Sequence, residues 1–210
     1  MNITQMNYDI LKEVFNIGVG KSAAMLSEIV NKKVLLNVPH LEFLHYDANA
    51  FNPLPNAIPK GTLVISTICF REKLAGEANL IFPADKMRQF LNLCQGEDDL
   101  ECYIHGNHFD DIDLDIIKEV GNIVLNSIVG ELGNYLQLEL YYSLPKVTLL
   151  GQQDFAANLR DKDYLYRLML YITFLIDGTE INGAIIMDMT INSVHELINK
   201  LEKMEADLYE

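Results

Sequence analysis

The stretch "NIGVGKSAAML" (16–26) raises the chemistry of phosphate binding, because it holds two glycines, a lysine and a serine in the order GVGKS. A phosphate-binding loop G-x-x-x-x-G-K-[ST] cradles phosphate oxygens on backbone N–H groups and requires a glycine five residues before the Gly-Lys pair. That position is Phe15, which cannot take the backbone shapes open to glycine. Such a loop also follows a buried strand, whereas "YDILKEVF" (8–15) already has helical periodicity. The glycines answer to some other constraint. A second stretch, "HGNHFDDIDLD" (105–115), gathers His105, His108, Asp110, Asp111 and Asp113. It has metal-ligand residue types but no HExxH or comparable frame, and it reads as a solvated acidic connection. The cysteines Cys69, Cys94 and Cys102 are odd in number and lack CxxC spacing, which points to a reducing compartment. No serine or cysteine lies in a nucleophile motif.

The third constellation occurs twice. "YDILKEVFNIGVGKSAAMLSEIV" (8–30) and "LDIIKEVGNIVLNSIVGELGNYL" (114–136) align at an offset of 106 residues. Asp9, Lys12, Glu13, Val14, Asn16 and Ile17 recur as Asp115, Lys118, Glu119, Val120, Asn122 and Ile123, and Pro39 recurs as Pro145. On a helix, positions i, i+4 and i+7 form one line. Asp9, Glu13 and Asn16 therefore share a stripe that continues through Gly20, Ala23, Ala24 and Ser27, all small. Leu11, Val14, Phe15, Met25, Leu26 and Ile29 make the opposite, core-facing stripe. In the second helix Asp115, Glu119 and Asn122 run into Asn126, Gly130 and Gly133, with Ile117, Val120, Val124, Ile128 and Leu132 facing the core. Glu131 interrupts that core face without an evident partner. Glycine inside a helix costs about 1 kcal/mol relative to alanine. Gly20 on the outer stripe and Gly18 on the inner side thus each imply a steric demand: room for a partner, or close packing of the two long helices.

These helices must be positioned by the rest of the chain. After each come about three strands, near 34–45, 62–70 and 74–82, then near 138–150, 165–176 and 181–189. A closing helix follows each set, near 84–94 and 191–206, with Asp85 and Asn192 as N-cap candidates. "LAGEANLIF" and "INGAIIMDM" place Gly76 opposite Gly183. The expected fold is α/β: a duplicated helix–three strands–helix unit with pseudo-two-fold symmetry, two exposed long helices and one joint core. It forms a single domain over 1–210 made of repeats at about 1–100 and 108–210. The 210 residues carry a formal net charge of −14, which argues against phosphate-backbone binding. Asp9, Lys12 and Glu13 interrupt any leader-like start, and the most apolar window, "YRLMLYITFLI" (166–176), is too short to cross a bilayer. A cytoplasmic location is expected.

The doubled pattern D-x3-E-x2-N-x22-P resembles the CheC/CheX/FliY family of phosphatases. It is carried here by Asp9, Glu13, Asn16 and Pro39, and again by Asp115, Glu119, Asn122 and Pro145. "NIGVGKSAAMLSEI" is similar to the first long helix of the CheC branch, and the likeness covers nearly the whole chain. The resemblance implies a hydrolase acting on the aspartyl phosphate of a CheY-type chemotaxis response regulator. Asn16 and Asn122 would orient water, and Glu13 and Glu119 would pair with the regulator's lysine. Asp9, Gly20, Ala24, Asp115 and Asn126 would form the docking surface. No cofactor of the chain's own is expected, since Mg²⁺ would arrive bound to the regulator. The deamidase CheD is a further partner the resemblance implies. The alternative is a non-catalytic adaptor that docks CheD or a response regulator. Internal duplication predicts a monomer.

Overall fold

The computed structural model describes residues 3–45, 60–95, 108–160 and 166–207. The first long helix, α1 (Gln5–Val30), begins where the Thr4 hydroxyl accepts the Asn7 N–H and ends at Asn31 in the left-handed region, φ 50°. Three strands and a helix follow: β1 (Val34–His45), β2 (Thr62–Glu72), β3 (Gly76–Pro83) and α2 (Ala84–Gln95). The second half opens with α3 (Asp111–Tyr135), then β4 (Leu140–Tyr142), β5 (Lys146–Gly151) and α4 (Gln152–Arg160). It closes with β6 (Tyr166–Ile176), β7 (Thr179–Met189) and α5 (Ile191–Asp207).

All seven strands join one antiparallel sheet in the order β1-β6-β7-β3-β2, with β4 and β5 both on the outer side of β2. The order reads alike from either edge: each half's first strand pairs with the other half's second. At the centre, Asn79 on β3 lies opposite Ile186 on β7. The offset of 107 that places Gly76 on Gly183 also places Asn79 on Ile186, so exchanging the halves leaves this register unchanged. Such an arrangement is what two copies of one unit, closed about a central axis, would produce.

The proline-bearing strands correspond in detail. β1 shifts register between Asn37 and His40, beside Pro39. The stretch 106 residues later breaks altogether, into β4 and β5 on either side of 143–145. The break is fastened to β2, where the Ser143 N–H donates to the Cys69 carbonyl at 2.9 Å and the Cys69 N–H donates to the Ser143 hydroxyl at 2.9 Å. Leu144 is thereby turned outward, 84% exposed. The single strand expected over 138–150 is thus two. Cys69 is half-buried.

Alternation along the strands sends Val64, Ile68, Phe70, Leu80, Leu170, Phe174, Ile185 and Met187 to the side covered by α1, α2, α3 and α5. Leu63, Ile65, Ile81, Met169 and Ile186 point the other way, where Phe155 and Leu159 of α4 cover them. The sequence reading did not anticipate α4, whose nine residues offer only those two large apolar groups, at i and i+4. Its end is fixed by Arg167, whose guanidinium donates from Nη2 to the Leu159 carbonyl and from Nε to Asp188 at 2.6 Å.

Two N-cap expectations move by a residue or two. Asp85 lies in the first turn of α2, and Asn192 lies inside α5, which Thr190 caps through the Ser193 N–H. In the stretch expected as a solvated acidic connection, Asp110, Asp111 and Asp115 are exposed as expected, but 111–115 open helix α3 and Asp113 is buried. Asp110 is the N-cap of α3, and Asp113 completes a reciprocal capping box. The Asp113 carboxylate also accepts from Arg88 at 2.8 Å, both side chains nearly inaccessible, while the Arg88 guanidinium stacks 4.7 Å from the Phe109 ring. His105 and Cys102 lie outside the described residues. Among the described residues, no helix is long and apolar enough to cross a membrane.

Candidate functional site

The long helices lie against one another. A Cβ on Gly18 would meet Ile128 Cα at 3.0 Å and the Ser127 carbonyl oxygen at 3.1 Å, so α1 crosses α3 there with no side chain between them. A Cβ on Gly20 would meet nothing within 4 Å. Of the two glycines, then, one is spent on packing and the other faces open space. Glu131, the polar residue on the core side of α3, reaches the edge of this crossing and pairs with Lys21 of α1.

Asp9, Glu13, Gly20 and Ala24 are exposed on α1, and Asp115 and Glu119 are exposed on α3. Asn16, Asn122 and Asn126 are half-buried. The small-residue stripe of α1 splits. Ala23 is buried, and the Ser27 hydroxyl turns toward β1 to accept the Val34 N–H at 2.9 Å. Met25 and Ile29, expected in the core, are instead 48% and 61% exposed. Ala23 and Leu26, rather than Met25 and Ile29, carry the buried face at this end of α1.

The carboxamides are held differently on the two helices. Asn16 Oδ1 accepts the backbone N–H of Val38 at 2.9 Å. Val38 sits within the register shift of β1, where its N–H is released from the strand ladder. The 22-residue spacing to Pro39 therefore has a structural meaning: the proline marks the irregularity that frees a donor for the asparagine. On α3 the counterpart of Val38 is Leu144, turned outward, and Asn122 Oδ1 accepts from Asn126 Nδ2 at 2.7 Å instead. In both cases the carbonyl side of the amide is tied down and Nδ2 makes no hydrogen bond with the described residues. An asparagine fixed in this way can donate to a water or an oxyanion while its orientation is held by the other end.

The immediate surroundings also differ. Ile17, beside Glu13, is 45% exposed, whereas its counterpart Ile123 is 4% exposed. An open groove of about 440 Å³ runs from the outer turns of α1 to β1, lined by Tyr8, Asp9, Lys12, His40 and Glu42 among others. His40 and Glu42 lie 3.1 Å apart in it. Sequence reasoning missed the two clamps. That of Asn126 was open to detection, since Asn at i and i+4 is a known helical pairing. That of Val38 depends on a backbone irregularity.

No family model matches the chain. It is 30% identical over 149 residues to the CheY-P phosphatase CheC of Bacillus subtilis, a match covering 70% of this chain and 68% of that protein. The chain belongs to the CheC/CheX/FliY family. Solved structures that share its fold include the following two. FliY of Thermotoga maritima superposes with a TM-score of 0.74 at 20% identity, covering 97% of this chain and 99% of that one. FliM in a FliG–FliM complex from H. pylori gives 0.64 at 9% identity, covering 94% and 100%. The family and fold expectations stand on these likenesses.

Proposed function

We propose that this chain is a phosphatase for the aspartyl phosphate of a CheY-type response regulator, with one site on each long helix. The observation that carries the reading is the tethered carboxamide beside an exposed carboxylate, found twice. Asn16 and Asn122 are each fixed through Oδ1 with Nδ2 left to act, and Glu13 and Glu119 stand one turn earlier, solvent-exposed.

The leaving group of an acyl phosphate is a carboxylate, so the reaction asks for little acid catalysis. What it needs is a water in line with the phosphorus. A carboxamide can hold one, as a glutamine does in small GTPases, and fixing such geometry is worth several kcal/mol in favourable cases. Water attacks phosphorus, the P–O bond to the regulator's aspartate breaks, and inorganic phosphate leaves. The regulator brings the Mg²⁺ that neutralises the phosphoryl oxygens. Glu13 and Glu119 pair with the regulator's lysine. Asp9, Gly20, Ala24 and Asp115 provide a docking face without bulk, and a cytoplasmic setting follows from the substrate. CheD is carried as a second partner on the family likeness alone.

A second reading is favoured by the fold itself. The same architecture serves FliM in a complex with FliG, so a docking function without turnover is the rival. Phosphate release from Mg²⁺-loaded phosphorylated regulator separates the two. The wild type should accelerate it, Asn16→Ala and Asn122→Ala should each retain part of the effect, and the double variant should retain none. Equal acceleration by the double variant would refute the mechanism, and no acceleration by any of the four would leave the adaptor.

A further inference from the structure

The inference concerns Asn126, and it rests on the reading of Asn122 as the group that orients water. On α1, the tether of Asn16 is a main-chain N–H. On α3 no main-chain N–H of the described residues bonds Asn122; there the chain breaks between β4 and β5, and Leu144, the counterpart of Val38, is exposed. The residue that replaces it is Asn126, whose counterpart on α1 is Gly20, a position with no side chain and open space before it. Asn126 donates Nδ2 to Asn122 Oδ1 at 2.7 Å, while its own Oδ1 is buried and has no hydrogen-bond partner among the described residues.

That orphaned acceptor is informative. A buried carbonyl oxygen with no donor is unfavourable, and alanine at the same place would remove it at no loss to helix propensity. A residue kept only for stability would not be an asparagine here. A residue kept for docking would present its amide to solvent instead of turning it along its own helix. We propose that Asn126 is a positioning residue of the second site: it fixes the carboxamide of Asn122 so that Nδ2 faces the incoming phosphoryl group. The two sites thus reach the same orientation by different means, a rigid backbone donor in one and a rotatable side chain in the other.

The test uses the full chain and measures phosphate release from Mg²⁺-loaded phosphorylated regulator over a range of regulator concentrations. In an Asn16→Ala background only the second site reports. There, Asn126→Ala and Asn126→Asp, neither of which offers the donor, should lower kcat about tenfold, the factor one hydrogen bond of this kind is worth. KM should stay unchanged and the melting temperature of Asn126→Ala should not fall. Asn126→Gln, which restores an amide donor, should recover part of the rate. In an Asn122→Ala background the same substitutions should change nothing. Loss of rate in both backgrounds would mean that Asn126 acts through the fold, and a rise in KM with kcat intact would make it a docking residue. Either result overturns the proposal, as does an Asn16→Ala chain no faster than Asn16→Ala/Asn122→Ala. Full acceleration by Asn16→Ala/Asn122→Ala would instead overturn the underlying reading.

Discussion

Gly18 and Gly20 sit two residues apart in one helical turn, yet they should respond to the same substitution with opposite signs. Alanine in place of a helical glycine stabilises by about 1 kcal/mol when nothing else changes. At Gly20 nothing else changes, because a Cβ there finds no atom within 4 Å. Gly20→Ala should therefore raise stability by about 1 kcal/mol, or the melting temperature by roughly 2–4 °C for a domain of this size. At Gly18 the new Cβ would stand 3.0 Å from Ile128 Cα and 3.1 Å from the Ser127 oxygen, both main-chain atoms of α3. Relief requires the two helices to part by a few tenths of an ångström along a buried crossing. Overpacking of this kind costs about 1–3 kcal/mol, so Gly18→Ala should end between neutral and about 2 kcal/mol destabilised. Urea unfolding with linear extrapolation resolves a gap of about 1–3 kcal/mol between the two variants. If both rise by the same amount, α1 and α3 do not cross at Gly18 and the geometry argued above is wrong. A functional arm follows. Gly20→Leu should keep the fold but raise KM for the regulator in an Asn122→Ala background, where only the first site works.

Arg88→Ala strands the Asp113 carboxylate in the interior and should cost about 3–5 kcal/mol by urea unfolding, with Arg88→Met/Asp113→Leu recovering most of it. Gly121→Ala puts a methyl 2.0 Å from the Ser66 hydroxyl oxygen and 2.5 Å from Ser66 Cβ. It should lose about 1–3 kcal/mol, and Ser66→Gly in the same chain should return part of that as a favourable coupling in a double-mutant cycle. Burial pushes the Cys94 thiol up from 9.0 to about 11. The folded chain holds that proton where the unfolded chain has lost it, so this contribution to stability is whole below pH 9 and is lost as pH rises from about 9 to about 11. Cys94→Ala should flatten the decline over that window in denaturant titrations.

Much of this was legible in advance because it is periodic. The 3.6-residue stripe gave both long helices, and Ile117, Val120, Val124, Ile128 and Leu132 are all buried as expected. The repeated Asp, Glu and Asn marked out the two candidate sites, whereas the irregularities beside the repeated prolines were not foreseen. What escaped is whatever depends on neighbours distant in sequence. Met25 and Ile29 fit the apolar stripe of α1, yet the face buried at that end runs through Ala23 and Leu26. Asp113 looks like one more acid in an acidic run, and its burial depends on Arg88 arriving from α2. Helix α4 has too few apolar residues to announce itself and exists because the far side of the sheet offers Ile65, Ile81 and Met169 to cover. The clamps on the asparagines are matters of backbone register and side-chain hydrogen bonding, neither of which a hydropathy pattern records.

The exchange of outer strands has a consequence for synthesis. Among the described residues β1 pairs with β6 and no other strand. When His45 leaves the ribosome its partner Tyr166 lies about 120 residues downstream, on message still to be read. At 5–20 residues per second that is a wait of roughly 6–24 s, during which the apolar side chains of β1 have no sheet to join. The first half can prepare β2, β3 and α2 locally, but its own leading strand is completed only after β6 of the second half has been made.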